Sequence, residues 1–94
     1  MNYELVIYTM EGCSHCTEFK KLLEEENITY HDRDIDKYHE EYDMYSKITK
    51  TEFVPSVMLI TDPSSSNEKT HFFAPTKEYE TIFEALDLVK KTIL

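Results

Sequence analysis

Glycine is nearly missing from this 94-residue chain, with Gly12 as its single instance. Phosphate-cradling loops need two or three glycines, so nucleotide binding of that kind is excluded. Cations are scarce as well: ten Lys and Arg stand against nineteen Asp and Glu, a formal net charge of −9. A field of that sign repels nucleic-acid backbones and anionic lipid surfaces, so neither nucleic acid nor membrane is expected as a partner. The excess acid serves solubility, or else faces a basic patch on a partner protein. No apolar run approaches the ~18 residues that span a bilayer. The opening Met1-Asn2-Tyr3-Glu4 lacks the basic and apolar segments of a secretory signal, and a cytoplasmic location is expected. No repeat of 20–50 residues is present, which excludes a solenoid. What remains, 40% apolar and 13% aromatic residues, is the composition of one small globular domain over residues 1–94, expected to be monomeric.

Periodicity orders the chain as β-α-β-α-β-β-α. Glu4 to Thr9, rich in β-branched and aromatic residues, predicts a buried strand. Cys16, Phe19, Leu22 and Leu23 share one face of a helix over Ser14 to Glu26, which Asn27 stops. Ile28 to Ile35 alternates as a second strand, and Asp36 is placed to cap a helix with Tyr38, Tyr42, Tyr45 and Ile48 in one packing stripe. Val57 to Ile60 and Lys69 to Phe73 form a hairpin about the polar turn at Asp62 to Asn67. A last helix carries Tyr79, Ile82, Phe83, Leu86, Val89 and Ile93 on one face, with Thr76 as its cap and Lys90-Lys91 in its last turn. A strand–helix–strand opening requires a parallel pair, and the closing hairpin adds antiparallel strands. The expected fold is therefore α/β, a mixed four-stranded sheet covered by helices.

Cys13-Ser14-His15-Cys16 places a C-x-x-C where a strand gives way to a helix. That placement suits thiol chemistry. Free N–H groups and the positive end of the helix dipole stabilise a thiolate at the first cysteine. The second lies one turn on, within reach of a mixed disulfide at the first. Cys13 reads as nucleophile and Cys16 as resolving thiol. A zinc site is the rival: Cys16 and His31 are spaced as in a finger, but the interval from His31 to His39 is too long, and no second cysteine pair exists. A structural disulfide and an inert thiol pair are the other readings. No metal is expected.

The run Ile7-Tyr8-Thr9-Met10-Glu11-Gly12-Cys13-Ser14-His15-Cys16, then Phe19, Leu22 and Leu23, with Phe53-Val54-Pro55-Ser56-Val57 further on, resembles the dithiol glutaredoxins. The resemblance covers roughly residues 3 to 61 and implies a thioredoxin-like fold and a cis peptide at Val54-Pro55. It further implies that the Val54 backbone pairs with glutathione or a substrate chain. Glutathione would then be the reducing co-substrate, with no tightly bound cofactor. The implied partners are glutathione and a disulfide-containing protein, ribonucleotide reductase being a common client of the family.

Two departures stand out. The family's Gly-Gly and following Asp before the last helix, which hold the γ-glutamyl end of glutathione, are replaced by His71-Phe72-Phe73-Ala74-Pro75-Thr76-Lys77, and a common lysine three residues before the first cysteine is Met10. Thr76 and Lys77, at an expected helix N-terminus, are candidate substitutes, and Lys50 is a candidate for the glycyl carboxylate. His15 can donate to the Cys13 thiolate and lower its pKa, which favours the dithiol form. The alternatives are a protein of the same type reduced by thioredoxin reductase and, from another class, a metal or iron–sulfur binding module.

Overall fold

The computed structural model describes residues 2–94. Its elements are β1 (Tyr3–Thr9), α1 (Ser14–Glu25), β2 (His31–Asp34), α2 (His39–Thr49), β3 (Ser56–Thr61), β4 (Lys69–Phe73) and α3 (Ile82–Ile93). The strands lie in the order β2-β1-β3-β4. β1 runs parallel to β2, with Thr9 opposite Asp34, and antiparallel to β3, with Tyr8 opposite Ser56; β4 is antiparallel to β3, with Phe73 opposite Val57. The mixed four-stranded sheet and the order of elements along the chain are as expected, a thioredoxin-like arrangement.

β1 is buried on both faces because its two rows of side chains feed different cores. Leu5 and Ile7 meet Phe19 and Leu23 of α1, Val57 and Leu59 of β3, and Ala85, Leu86 and Val89 of α3. Val6 and Tyr8 point the other way, to Tyr42 and Tyr45 of α2, with Met58 and Phe72 packed alongside. Two helices therefore cover one face of the sheet and one covers the other.

The stop of α1 follows from its sequence. Asn27 takes a left-handed φ of 58°, its N–H donates to Glu24 O (3.1 Å), and Ile28 N–H donates to Leu23 O (2.9 Å) while the Ile28 side chain enters the core. That is a Schellman ending with its apolar contact, asparagine standing in for glycine. The acids at this end find counter-groups in space: Lys90 Nζ lies 3.0 Å from Glu26 Oε1, and Tyr30 OH donates to Glu24 Oε2 (2.6 Å).

Several expected boundaries shift. β2 begins at His31 rather than Ile28, because Ile28 is spent on the helix ending. Asp36 does not cap α2. Its own N–H donates to Asp34 Oδ1 (2.8 Å) in a turn, and the helix opens from Tyr38 without a side-chain cap. Of the tyrosine stripe, Tyr42 and Tyr45 are buried while Tyr38 and Ile48 face solvent. The largest correction concerns α3, which is capped by Thr81 and not by Thr76. Thr81 Oγ1 accepts from Glu84 N–H (3.2 Å), and Glu84 Oε1 accepts from Thr81 N–H (3.0 Å), a complete capping box. Tyr79 consequently lies ahead of the helix, and Phe83 points outward while Ala85 takes its place in the core.

Candidate active site

The cysteine pair sits where β1 ends and α1 begins. Gly12, at φ +82°, makes the turn that a side chain would strain, and Cys13 N–H closes it on Met10 O (3.2 Å). Cys13 is the N-cap of α1: its backbone is extended, its C=O accepts from Thr17 N–H (3.2 Å), and its Sγ accepts from Cys16 N–H (3.1 Å). The sulfur thus occupies the position where a capping oxygen normally meets the helix N–H groups, and that position favours negative charge. The two cysteines are joined as a disulfide, with Cα atoms 5.3 Å apart. Cys13 is half-exposed while Cys16 is only 2% exposed. Of the two cysteines, Cys13 is the more accessible to another molecule.

Across from the pair lies the Phe53–Val57 loop, with the Val54-Pro55 peptide cis. Three tyrosine hydroxyls hold alternate carbonyls of this loop. Tyr42 OH donates to Phe53 O (3.0 Å), Tyr79 OH to Pro55 O, and Tyr45 OH to Val57 O (2.9 Å). Ser56 Oγ adds a second donor on Phe53 O (2.6 Å). Burial pushes the pKa of all three tyrosines upward, so they remain protonated donors. Among the described residues no hydrogen bond uses the N–H or C=O of Val54, which leaves that one peptide edge available in a loop otherwise fastened at every second residue.

Tyr79→Phe tests the fastening. Tyr79 is buried, and removing its hydroxyl strands Pro55 O, at a cost of about 1–3 kcal/mol. Chemical denaturation is expected to show that loss. Turnover of a disulfide substrate is expected to show KM raised several-fold with kcat nearly kept, since the cysteines themselves are untouched.

Two hollows meet along this loop. One, of about 410 Å³, is lined by His15, Val54 and Pro55 together with Thr76, Tyr79 and the start of α3. The other, of about 480 Å³, is lined by Lys47, Lys50, Thr51 and Thr76 among others, and Phe53 and Thr76 border both. The sequence-predicted residues His15, Val54, Pro55, Lys50 and Thr76 are thereby brought around one continuous surface, and Lys77 stays outside it. Neither Thr76 nor Lys77 is at a helix N-terminus. Thr76 has φ +68° and its N–H donates to Tyr79 O (2.7 Å), while Lys77 N–H donates to Ala74 O (3.2 Å). The expected carboxylate cradle of helix N–H groups is absent at these residues, because α3 starts later. His15 is exposed and makes no side-chain hydrogen bond among the described residues. The bond to Cys13 Sγ comes from Cys16 N–H instead.

Sequence reasoning missed Lys47, one helical turn before Lys50 on α2, and Thr51, whose hydroxyl is buried without a partner beside the two lysines. It also missed the tyrosine fastening. Tyr42 and Tyr45 pack as their stripe predicts, but a hydroxyl on a buried ring also requires an acceptor, and that requirement is the signal the sequence carries. No group of three or more His, Cys, Asp or Glu side chains gathered as for a metal ion occurs among the described residues.

Comparison with known proteins places this geometry. A family model described as Glutaredoxin matches residues 5–61, from β1 through β3, a span that contains both cysteines and the Val54-Pro55 peptide. Among curated proteins, no match was found.

Proposed function

The chain belongs to the glutaredoxin family, and from that premise we propose that it is a glutathione-dependent thiol–disulfide oxidoreductase of the dithiol type. The observation that carries the reading is the asymmetry of the cysteine pair, Cys13 accessible at a helix N-cap and Cys16 buried one turn behind it. The Cys13 thiolate attacks one sulfur of a substrate disulfide, forming a mixed disulfide and expelling the other sulfur as a thiolate, which takes a proton. Cys16, deprotonated, then attacks Cys13 Sγ, releases the second substrate thiol, and leaves the Cys13–Cys16 disulfide. Two electrons have passed to the substrate. Two glutathione thiols return them, ending as glutathione disulfide.

Lys47 and Lys50 beside the unpartnered Thr51 hydroxyl suit a carboxylate such as the glycyl end of glutathione. His15, between the cysteines and exposed at the first turn of α1, is the ring that donates an N–H to the Cys13 thiolate in the reduced protein on this reading. His15→Ala is expected to make the pair more reducing, read as a lower potential in a glutathione redox titration and a higher Cys13 pKa by thiolate absorbance; an unchanged potential would remove His15 from the site.

A second reading has its own support. Glu84 Oε1 accepts from both Glu80 N–H (2.8 Å) and Thr81 N–H (3.0 Å), so the α3 terminus already holds a carboxylate where the family places that of glutathione. This favours an electron donor re-reduced by thioredoxin reductase. The decisive experiment supplies a small glutathione mixed disulfide, first with glutathione and glutathione reductase, then with thioredoxin reductase and NADPH. Turnover in the first arm supports the glutathione reading, and turnover in the second arm alone replaces it with the donor reading.

A further inference from the structure

The hollow that His15, the residue before Cys16, shares with the Val54-Pro55 peptide is apolar with acidic walls. Phe53 and Phe83 flank it, 61% and 63% exposed, and Val54, Pro55, Pro75 and Ile82 supply further apolar surface. Its carboxylates are Glu18 of α1 and Glu80 ahead of α3, and neither Lys nor Arg lines it. Several backbone donors along this wall are already engaged, those of Ile82 and Phe83 at the start of α3 excepted. Ala74 N–H donates to Glu78 Oε1 (2.8 Å), Glu78 N–H to Ala74 O (3.0 Å), Thr76 N–H to Tyr79 O, and the N–H groups of Glu80 and Thr81 to Glu84 Oε1. An anion entering here finds two of the protein's own carboxylates in place and two more on the walls. An apolar side chain with a cation beside it finds the complement of both.

We propose that this hollow selects protein disulfides whose cysteine is flanked by an apolar side chain and a Lys or Arg. The apolar side chain seats between Phe53 and Phe83, and the cation lies toward Glu18 and Glu80. The free N–H and C=O of Val54 supply strand-type hydrogen bonds to the same segment. The proposal rests on the oxidoreductase reading above and names the substrate class of that site. The net charge of −9 works in the same direction, steering basic partners toward the molecule.

The test uses the reduced protein in single turnover, without glutathione, against three synthetic peptides that each hold one intramolecular disulfide. They differ only beside one cysteine, carrying Leu and Arg, Ser and Arg, or Leu and Glu. Each turnover oxidises the Cys13/Cys16 dithiol and reduces one peptide disulfide. The Leu–Arg peptide is expected to react about tenfold faster than Leu–Glu and about threefold faster than Ser–Arg, as two partly exposed charges and one apolar contact allow. A Glu18→Lys/Glu80→Lys double variant is expected to cut the Arg-over-Glu preference about fivefold, and Glu4→Lys, on β1 and outside the hollow, to leave it nearly intact. Peptides that react alike, a preference that survives the double variant, or an equal drop in Glu4→Lys would each overturn the proposal. Glutathione disulfide is run beside them. If it oxidises the protein while the peptides are not distinguished, selectivity alone fails; if neither it nor any peptide does, the oxidoreductase reading fails with it.

Discussion

Cys13→Ser is expected to remove all disulfide turnover, whatever the substrate or reductant, because the remaining thiol, Cys16, is buried out of reach of a substrate disulfide. The protein should remain folded. Serine is a better N-cap than cysteine, and the Cys13 side chain contributes a cap hydrogen bond rather than core packing. Cys16→Ser separates the two roles. With the resolving thiol gone, Cys13 still attacks, and the reaction stops at a mixed disulfide that mass spectrometry detects as a stable adduct. Protein disulfides are then no longer fully reduced, whereas a glutathione mixed disulfide is still turned over if glutathione itself resolves the adduct. A Cys13→Ser protein that retained turnover would overturn the assignment of the nucleophile, and a Cys16→Ser protein that captured nothing would overturn the order of attack.

Phe19→Ala is expected to have the largest effect on stability. Phe19 is fully buried on α1, in the core shared by β1, β3 and α3, three residues beyond Cys16. Truncating such a ring removes its transfer energy and leaves a cavity, together about 3–5 kcal/mol. A domain of this size has about 5–14 kcal/mol in total, at ~0.05–0.15 kcal/mol per residue, so the loss is a large share of it. The thermal midpoint should fall by roughly 15 °C or more, as differential scanning calorimetry would read it. Because the ring fixes α1 against the sheet, the variant that still folds should also lose definition at the cysteines. A fall of only a few degrees would mean that the site collapses around the gap.

How much of this was legible from the residues depends on the distance over which each signal acts. The element order came from local periodicity, and the Cys13 cap came from its place between a strand-like and a helix-like run. The Thr81–Glu84 capping box was written in the sequence as Thr-x-x-Glu ahead of an apolar run, yet Tyr79 and Phe83 also fit the helical period and put the expected cap back at Thr76. Tyr79 instead answers to Pro55, 24 residues away, and Phe83 to solvent. Ile28 looked like the first residue of a strand and proved to be the last contact of a helix ending. Lys47 and Thr51 became part of the site only once α2 and the loop after it folded against Thr76. Local rules set what each segment is; which segments share a surface is a property of the closed sheet.

The unequal cores on the two faces of the sheet carry a consequence for how the molecule comes apart. Among the described residues, ten buried side chains of α1, α3 and the central strands, with Ile28 and Tyr79 beside them, form one cluster, while α2 closes the other face with a cluster of four. Native-state amide exchange should therefore find α2 opening well before global unfolding, with β1, β3, α1 and α3 exchanging together and last. The dithiol rides on the durable unit. Two of the three tyrosine hydroxyls that fasten the Phe53–Val57 segment, those of Tyr42 and Tyr45, ride on the labile one. A protein caught in that intermediate would keep its reactive sulfurs and lose its discrimination, so fidelity, not reactivity, is what mild heat or denaturant would take first.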